Sequence, residues 1–304
     1  KGLLREGLLV VVNALVENPT FEGQCKHQLT TKAKDFGSRY TPSASFLAKL
    51  KKGGEGSVLA RLVELAENKQ DQALSKQDGK KKARVNVGKL ADARNAGTAR
   101  SMDCVLVLTE GDSAQALAVA GISAAPDPAS LGSMPLRGKL LNVRAASRAM
   151  LLANKEVQDL IKAMGLQHGK VYATEADFKT LRYGGGIMLM ADQDYDGFHI
   201  GGLILNLFEH LWPSLVERPG FFRRMQTPIV KVSCGSTVHQ FFRLAEFEAW
   251  AEQQPPGWAS AWTTKYYKGL GTSTAKEGKE YFRDLGRHMV TFQPDADTHG
   301  ALEK

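Results

Sequence analysis

Residues 104–108 (CVLVL) form a continuous apolar run that breaks off at Glu110-Gly111-Asp112-Ser113-Ala114 and passes directly into the helical pattern of residues 116–120. Residues 187–191 (IMLMA) do the same ahead of Asp192-Gln193-Asp194-Tyr195-Asp196-Gly197 and a helical pattern over 199–212 that ends near Pro213. Short runs without polar alternation are strands covered on both faces, and strands that alternate with helices build a parallel sheet. The sequence therefore predicts an α/β fold, a parallel sheet flanked by helices. In such a sheet the functional side chains stand at the C-terminal strand tips.

Both tips are acidic. Asp192, Asp194 and Asp196 lie at i, i+2 and i+4 after one strand, and Glu110 stands at the same place after the other. Four carboxylates brought together repel unless a cation neutralises them, and hard oxygen ligands suit Mg²⁺. A shared magnesium site is the economical reading, and an aspartate between two positions allows two ions. Such ions bind a scissile phosphate and stabilise charge on attacking and leaving oxygens. An EF-hand loop also opens D-x-D-x-D-G, but its twelfth position needs Glu and here holds Leu203. Taken alone, Glu110-Gly111-Asp112-Ser113 is equally consistent with a helix N-cap.

Elsewhere, residues 8–16 (LLVVVNALV) read as a buried strand stopped by Asn18-Pro19, and residues 19–45 as irregular. Ser57 is placed to cap a helix carrying Val58, Leu59, Leu62, Val63 and Leu65 that continues toward Lys80. Residues 49–100 hold 13 basic and 6 acidic side chains, nearly the whole formal excess of +8. Residues 77–97, with the run Lys80-Lys81-Lys82, thus read as a mobile or DNA-apposed linker, or simply a solvated loop. A Pro/Arg/Gly loop is expected at 135–144, helices near 154–164 and 246–253, and strands at 228–232 and 238–243. Cys25, Cys104 and Cys234 are scattered, with neither disulfide nor zinc spacing, which fits a reducing compartment. No apolar run approaches the roughly 20 residues of a membrane span. The start at Lys1-Gly2-Leu3 and the end at Ala301-Leu302-Glu303-Lys304 both read as cuts from a longer polypeptide.

The two acidic motifs, about 80 residues apart, together resemble the Toprim domain of topoisomerases, certain primases and nucleases. Three further strings resemble eukaryotic-type DNA topoisomerase II in order and spacing. They are Pro135-Leu136-Arg137-Gly138-Lys139-Leu140-Leu141-Asn142-Val143-Arg144, Thr227-Pro228-Ile229-Val230-Lys231-Val232, and the stretch from Tyr266-Tyr267-Lys268-Gly269-Leu270-Gly271 to Thr272-Ser273-Thr274-Ala275-Lys276-Glu277. Upstream, Glu17-Asn18-Pro19-Thr20-Phe21-Glu22-Gly23-Gln24-Cys25-Lys26 is similar to the end of that family's transducer, with Cys25 in place of threonine. The implied layout is the end of the ATPase/transducer region over 1–45, a helical basic linker over 46–100, the Toprim domain over 101–290, and from 291 to 304 the start of a connection to a winged-helix domain.

The resemblance implies an ATP-dependent, homodimeric enzyme that cuts both strands of one DNA duplex through a 5′-phosphotyrosyl bond and passes another. Its cofactors would be Mg²⁺ and, in the full-length enzyme, ATP; its partners would be double-stranded DNA and the remaining domains of the polypeptide, with no membrane. The nucleus is the family's usual compartment, an organelle being the alternative. Residue by residue, Glu110, Asp192 and Asp194 would be metal ligands and catalytic groups, Asp196 a further ligand, and Glu110 also a proton carrier. Arg137 and Lys139 would lie at the cleaved phosphate, as catalytic and DNA-binding residues. Asn142, Lys268 and His199 are further DNA-binding candidates, although His199 fits a buried supporting role as well and Gly269 and Gly271 a simple turn. Gln24 and Lys26 would face the ATP γ-phosphate. The nucleophilic tyrosine would lie outside this chain; Arg39-Tyr40 and Tyr266-Tyr267 are in the wrong regions.

Two departures stand out. Gly184-Gly185-Gly186 stands where the family usually has one lysine, predicting an entry to the second acidic strand that is looser or one residue longer, and Phe198 replaces a small residue after Asp196-Gly197, either crowding the helix start or packing on a neighbouring surface. Three rivals compete: the bacterial gyrase or topoisomerase IV B subunit, a Toprim nuclease or primase, and a basic DNA-binding scaffold whose acidic cluster is structural.

Overall fold

The computed structural model describes residues 11, 13–22, 26–52, 57–138 and 140–295. The chain divides into two compact units, Lys1–Gln72 and Ala73–Lys304.

In the first unit, helix α1 (Ala44–Lys51) starts at Ser43, whose Oγ accepts from the Phe46 N–H at 3.2 Å. Helix α2 (Val58–Ser75) crosses into the second unit; the Ser57 Oγ accepts from the Ala60 N–H at 3.1 Å, so the expected cap is present, but the helix ends at Ser75 rather than near Lys80. Thr20–Glu22 and Gln28–Thr30 pair through a Phe21–Leu29 bridge. The strand expected over 8–16 does not form where the chain is described. Val11 and residues 13–16 are irregular, and Val11 and Leu15 are almost fully exposed. A β-branched run becomes a strand only beside a ladder partner, and among the described residues none lies alongside it.

The second unit is built on a five-stranded sheet of order β2-β1-β3-β4-β8. Strands β1 (Val105–Glu110), β2 (Leu131–Leu136), β3 (Gly186–Met190) and β4 (Phe222–Met225) run parallel, and β8 (Met289–Thr291) closes one edge antiparallel. Between the parallel strands run α3 (Gly111–Ile122), α4 (Lys155–Met164) and α5 (Tyr195–Leu211). Both faces are covered, which is why the two runs show no alternation of polarity. Leu106, Leu108, Ile187 and Leu189 enter the core shared with α4 and α5, while Val107, Met188 and Met190 enter the core of α3 and α7 (Ala275–Arg283).

Pro135 and Leu136, expected in a loop, belong to β2. Proline lacks the ladder N–H, and β2 tolerates it as an edge strand; Ala91 covers its outer side through two 2.8 Å bonds with Ser133. The basic segment 77–97 is irregular yet anchored rather than mobile. Arg182, fully buried, donates through Nε to the Lys82 carbonyl at 2.7 Å and through Nη2 to Asp92, and the Tyr183 hydroxyl donates to Asp92 at 2.6 Å while accepting from the Ala93 N–H at 3.0 Å. Nor is the triple glycine loose. A Cβ at Gly185 would stand 2.7 Å from the Cys104 carbonyl oxygen and one at Gly186, whose φ is +102°, 2.1 Å from that of Phe221. Backbones meet there too closely for side chains.

A three-stranded antiparallel sheet, β6-β5-β7, follows: β5 (Val230–Cys234), β6 (Thr237–Phe241) and β7 (Thr263–Tyr266). Val230, Val232, Phe241 and Phe247 of α6 (Leu244–Glu252) are buried under Trp250, Trp258 and Trp262. Past β7, the buried Glu277 closes a capping box with Thr274 at the start of α7 and accepts from Lys265 at 2.9 Å and from the Tyr267 hydroxyl. Burial opposes its ionisation, but bonds from Thr274, Tyr267 and Lys265 outweigh this and hold its carboxyl down at about 2. A depressed carboxylate stabilises the fold above its ordinary value near 4.5 and loses that contribution as pH falls toward 2. Glu277→Gln is therefore expected to cost about 2 kcal/mol at neutral pH, after allowance for screening, and progressively less through that acid window. Acid unfolding followed by tryptophan fluorescence checks this; a cost that does not shrink with acid counts against the ionised carboxylate.

Candidate active site

The strand order leaves a crevice at one place. From β1 the chain crosses to β2 on one side, and β3 pairs on the other, so the tips of β1 and β3 flank a topological switch point. Glu110 ends β1 and Asp192 follows β3 by two residues. The Asp192 N–H donates to Glu110 Oε2 at 3.2 Å, so the two acidic motifs meet. Asp194 is the N-cap of α5, its Oδ1 accepting from the Gly197 N–H at 2.8 Å, and Asp196 lies exposed in that helix's first turn. Burial first, and then the charges of Asp192, Asp194 and Asp196, push the Glu110 carboxyl above its ordinary range, with the Asp192 N–H pulling the other way. That crowding of hard oxygen donors fits a divalent cation. Among the described residues no three His, Cys, Asp or Glu side chains are arranged to hold an ion; Asp192 Oδ1 accepts from the Leu270 N–H and Asp194 Oδ1 from the Gly197 N–H.

Two features sharpen the site. The Leu270 N–H donates to Asp192 Oδ1 at 2.7 Å, and a Cβ at Gly269 would stand 2.3 Å from Asp192 Oδ2. Gly269 is extended, with φ 178°, so close approach rather than backbone freedom requires the glycine. The small sheet thereby carries the Lys268-Gly269-Leu270 loop back to the acidic tip; the Tyr267 N–H bonds the Ile229 carbonyl at 2.8 Å and the Gln193 amide the Thr227 carbonyl.

Arg224 of β4 is the residue sequence reasoning missed. Its Nη2 donates to the Asp192 carbonyl at 2.9 Å, and its guanidinium lies 3.8 Å from the centre of the Phe198 ring. Phe198 thus packs on a neighbouring side chain, as a shelf for an arginine. An arginine pair in a four-residue strand carries no periodic signal, and only the β3–β4 register brings it to the acidic tip.

Arg137 follows the last residue of β2, in register with Glu110, and is exposed with Asp112 at 3.9 Å. Lys268 and His199 are exposed. The Asn142 Oδ1 accepts from the Arg144 N–H at 3.3 Å and from Asn206 at 2.9 Å, so its oxygen is engaged within the fold. Lys26 is exposed, with φ 53°, its ammonium 5.8 Å from the Phe21 ring. Lys139 and Gln24 lie outside the described residues.

Comparisons with known proteins agree with this geometry. Residues 225–303 match the family model of the C-terminal associated domain of TOPRIM, and residues 2–82 match that of DNA gyrase B. A probable DNA topoisomerase 2 of Dictyostelium discoideum is 45% identical over 99% of this chain and 19% of its own length. The DNA topoisomerase 2 of Saccharomyces cerevisiae is 45% identical over 95% of the chain and 20% of its own. The crystal structure of the DNA-binding, cleavage and re-ligation domain of Plasmodium falciparum topoisomerase II superposes with a TM-score of 0.66 at 45% identity, covering 72% of this chain and 29% of that one. The chain spans about a fifth of the length of the curated relatives it matches. A covered parallel sheet with acidic tips at its switch point, in this company, defines a Toprim-type α/β protein. The chain belongs to the eukaryotic DNA topoisomerase 2 family.

Proposed function

We propose that this chain is the metal-binding Toprim part of an ATP-dependent type II DNA topoisomerase, which opens both strands of one duplex through a 5′-phosphotyrosyl intermediate, passes a second duplex and reseals the first. The observation that carries the reading is the meeting of Glu110 and Asp192 across the switch point. The family membership and the breadth of the matched sequence support it.

Glu110, Asp192 and Asp194 would hold Mg²⁺, with Asp196 completing a second position. The bound ion supplies Lewis acidity at the scissile phosphate and stabilises charge on the leaving oxygen. Glu110 would also carry a proton to or from the sugar oxygen. Arg137 and Lys139 anchor the backbone of double-stranded DNA by charge-assisted bonds, and Lys268, His199 and Asn142 extend that contact. The nucleophilic tyrosine belongs to another part of the polypeptide. Tyr267 does not suit that role, because it is buried, donates to Glu277, and has its ionisation pushed far up by burial and that carboxylate. Gln24 and Lys26 would serve the ATP γ-phosphate in the amino-terminal unit. The enzyme would be a homodimer acting in the nucleus; among the described residues no helix is long and apolar enough to cross a membrane.

The full-length enzyme is expected to relax supercoiled plasmid with Mg²⁺ and ATP. Quenched with denaturant, it should leave linear DNA with protein on both 5′ ends, and chelation before mixing should abolish this. Cleavage with protein-free ends would point instead to a Toprim nuclease.

A further inference from the structure

Arg224 has no part in the proposed chemistry, yet it stands against the acidic tip. Two contacts fix it there. The Nη2 donates to the Asp192 carbonyl at 2.9 Å, and the guanidinium carbon stands over Phe198, 3.8 Å from the ring centre. The β3–β4 pairing, Leu189 with Arg224, leaves the residue no other register. Half-buried, the guanidinium is less well hydrated than a surface arginine, and the charges of Asp194 and Glu110 act on it favourably. An arginine stays charged at any working pH, so this is a permanent positive charge beside the carboxylates.

We propose that Arg224, seated on Phe198, is a built-in counter-charge of the acidic site that weakens its affinity for divalent cations. The inference rests on the metal-binding reading of Glu110, Asp192 and Asp194. A fixed cation relieves carboxylate repulsion when no ion is bound, and it repels an incoming divalent ion with twice the force it would exert on a single charge. Both effects favour the ion-free site. Loss of the hydrogen bond to the Asp192 carbonyl would act in the opposite direction by loosening the tip, so the sign of the measured change separates a charge role from a purely positional one. Arg224→Lys separates them again: it keeps the charge and gives up the planar fork.

The test is Mn²⁺ binding to the full-length protein without nucleotide, followed by electron paramagnetic resonance, with thermal melting in chelator as a second readout. Sites that vanish in Asp192→Ala define the acidic tip. At those sites Arg224→Met is expected to bind Mn²⁺ about tenfold more tightly than wild type, and Phe198→Leu, which frees the guanidinium, about threefold more tightly. Arg224→Lys should stay within about twofold of wild type. In chelator Arg224→Met should melt lower than wild type and regain the difference on adding Mn²⁺. Unchanged or weaker Mn²⁺ binding by Arg224→Met, with a normal dependence on Asp192, overturns this inference alone. Equal binding by wild type and Asp192→Ala overturns the metal-binding reading and this inference with it.

Discussion

Asp192→Ala and Glu110→Ala, each introduced into the full-length enzyme, are expected to lower plasmid cleavage by at least a hundredfold, on the order of 3 kcal/mol in the barrier, while leaving DNA affinity within about threefold. The asymmetry follows from where the two side chains stand. Both lie at the crevice between β1 and β3, joined by the Asp192 N–H to Glu110 bond, so either loss removes an oxygen donor from the place where the reacting phosphate would sit. On the proposed function DNA affinity would come mainly from protein cations along the DNA backbone, which neither change touches. Neither substitution is a folding problem of the first order: Glu110 gives up one backbone bond and Asp192 one accepted bond from Leu270. Quench-trapped cleavage and a filter-binding isotherm on the same preparations decide it. Cleavage within threefold of wild type would make the carboxylates structural.

The second large effect concerns stability. Arg182→Ala is expected to destabilise the larger unit by about 4 kcal/mol in urea unfolding. Arg182 is fully buried and donates to the Lys82 and Ala163 carbonyls, each at 2.7 Å, and to Asp92. Truncation strands the buried Ala163 carbonyl and the part-buried Lys82 carbonyl, and among the described residues it leaves the Asp92 carboxylate with the Tyr183 hydroxyl. Arg182→Met should be nearly as damaging, since it restores volume and no donor. Adding Asp92→Asn to Arg182→Met should recover roughly 1–2 kcal/mol by removing the uncompensated charge. A loss under about 1 kcal/mol for Arg182→Ala would mean that solvent enters and satisfies the stranded groups.

That network also marks where sequence reading stopped. From sequence, 77–97 reads as a linker, because low apolar content and a lysine run are local properties. What holds the segment is a partner about 90 residues away, and no local pattern encodes that. Strand β2 was hidden for a related reason: Leu-Gly-Ser-Met-Pro-Leu has neither alternation nor β-branched residues, and it is a strand because β1 offers a parallel ladder and its outer edge tolerates Pro135. In the first unit the error ran the other way, since residues 8–16 have strong strand character and the described part finds no ladder to join.

By itself the sequence determined the class of fold and the identity of the acidic groups. Two apolar runs that end in carboxylates and pass into helices admit few arrangements other than a covered parallel sheet with those carboxylates at its tips. Only the tertiary structure decided which strands are neighbours, and so which side chains share the crevice. It seated Leu270 and Gly269 on Asp192, set Arg224 on Phe198 beside the same tip, and turned a triple glycine from an expected slack into a tight crossing. The physical reason is range: covering both faces of a strand is written into consecutive residues, whereas a ladder partner, a counter-charge or a close backbone approach is supplied by chain far away in sequence.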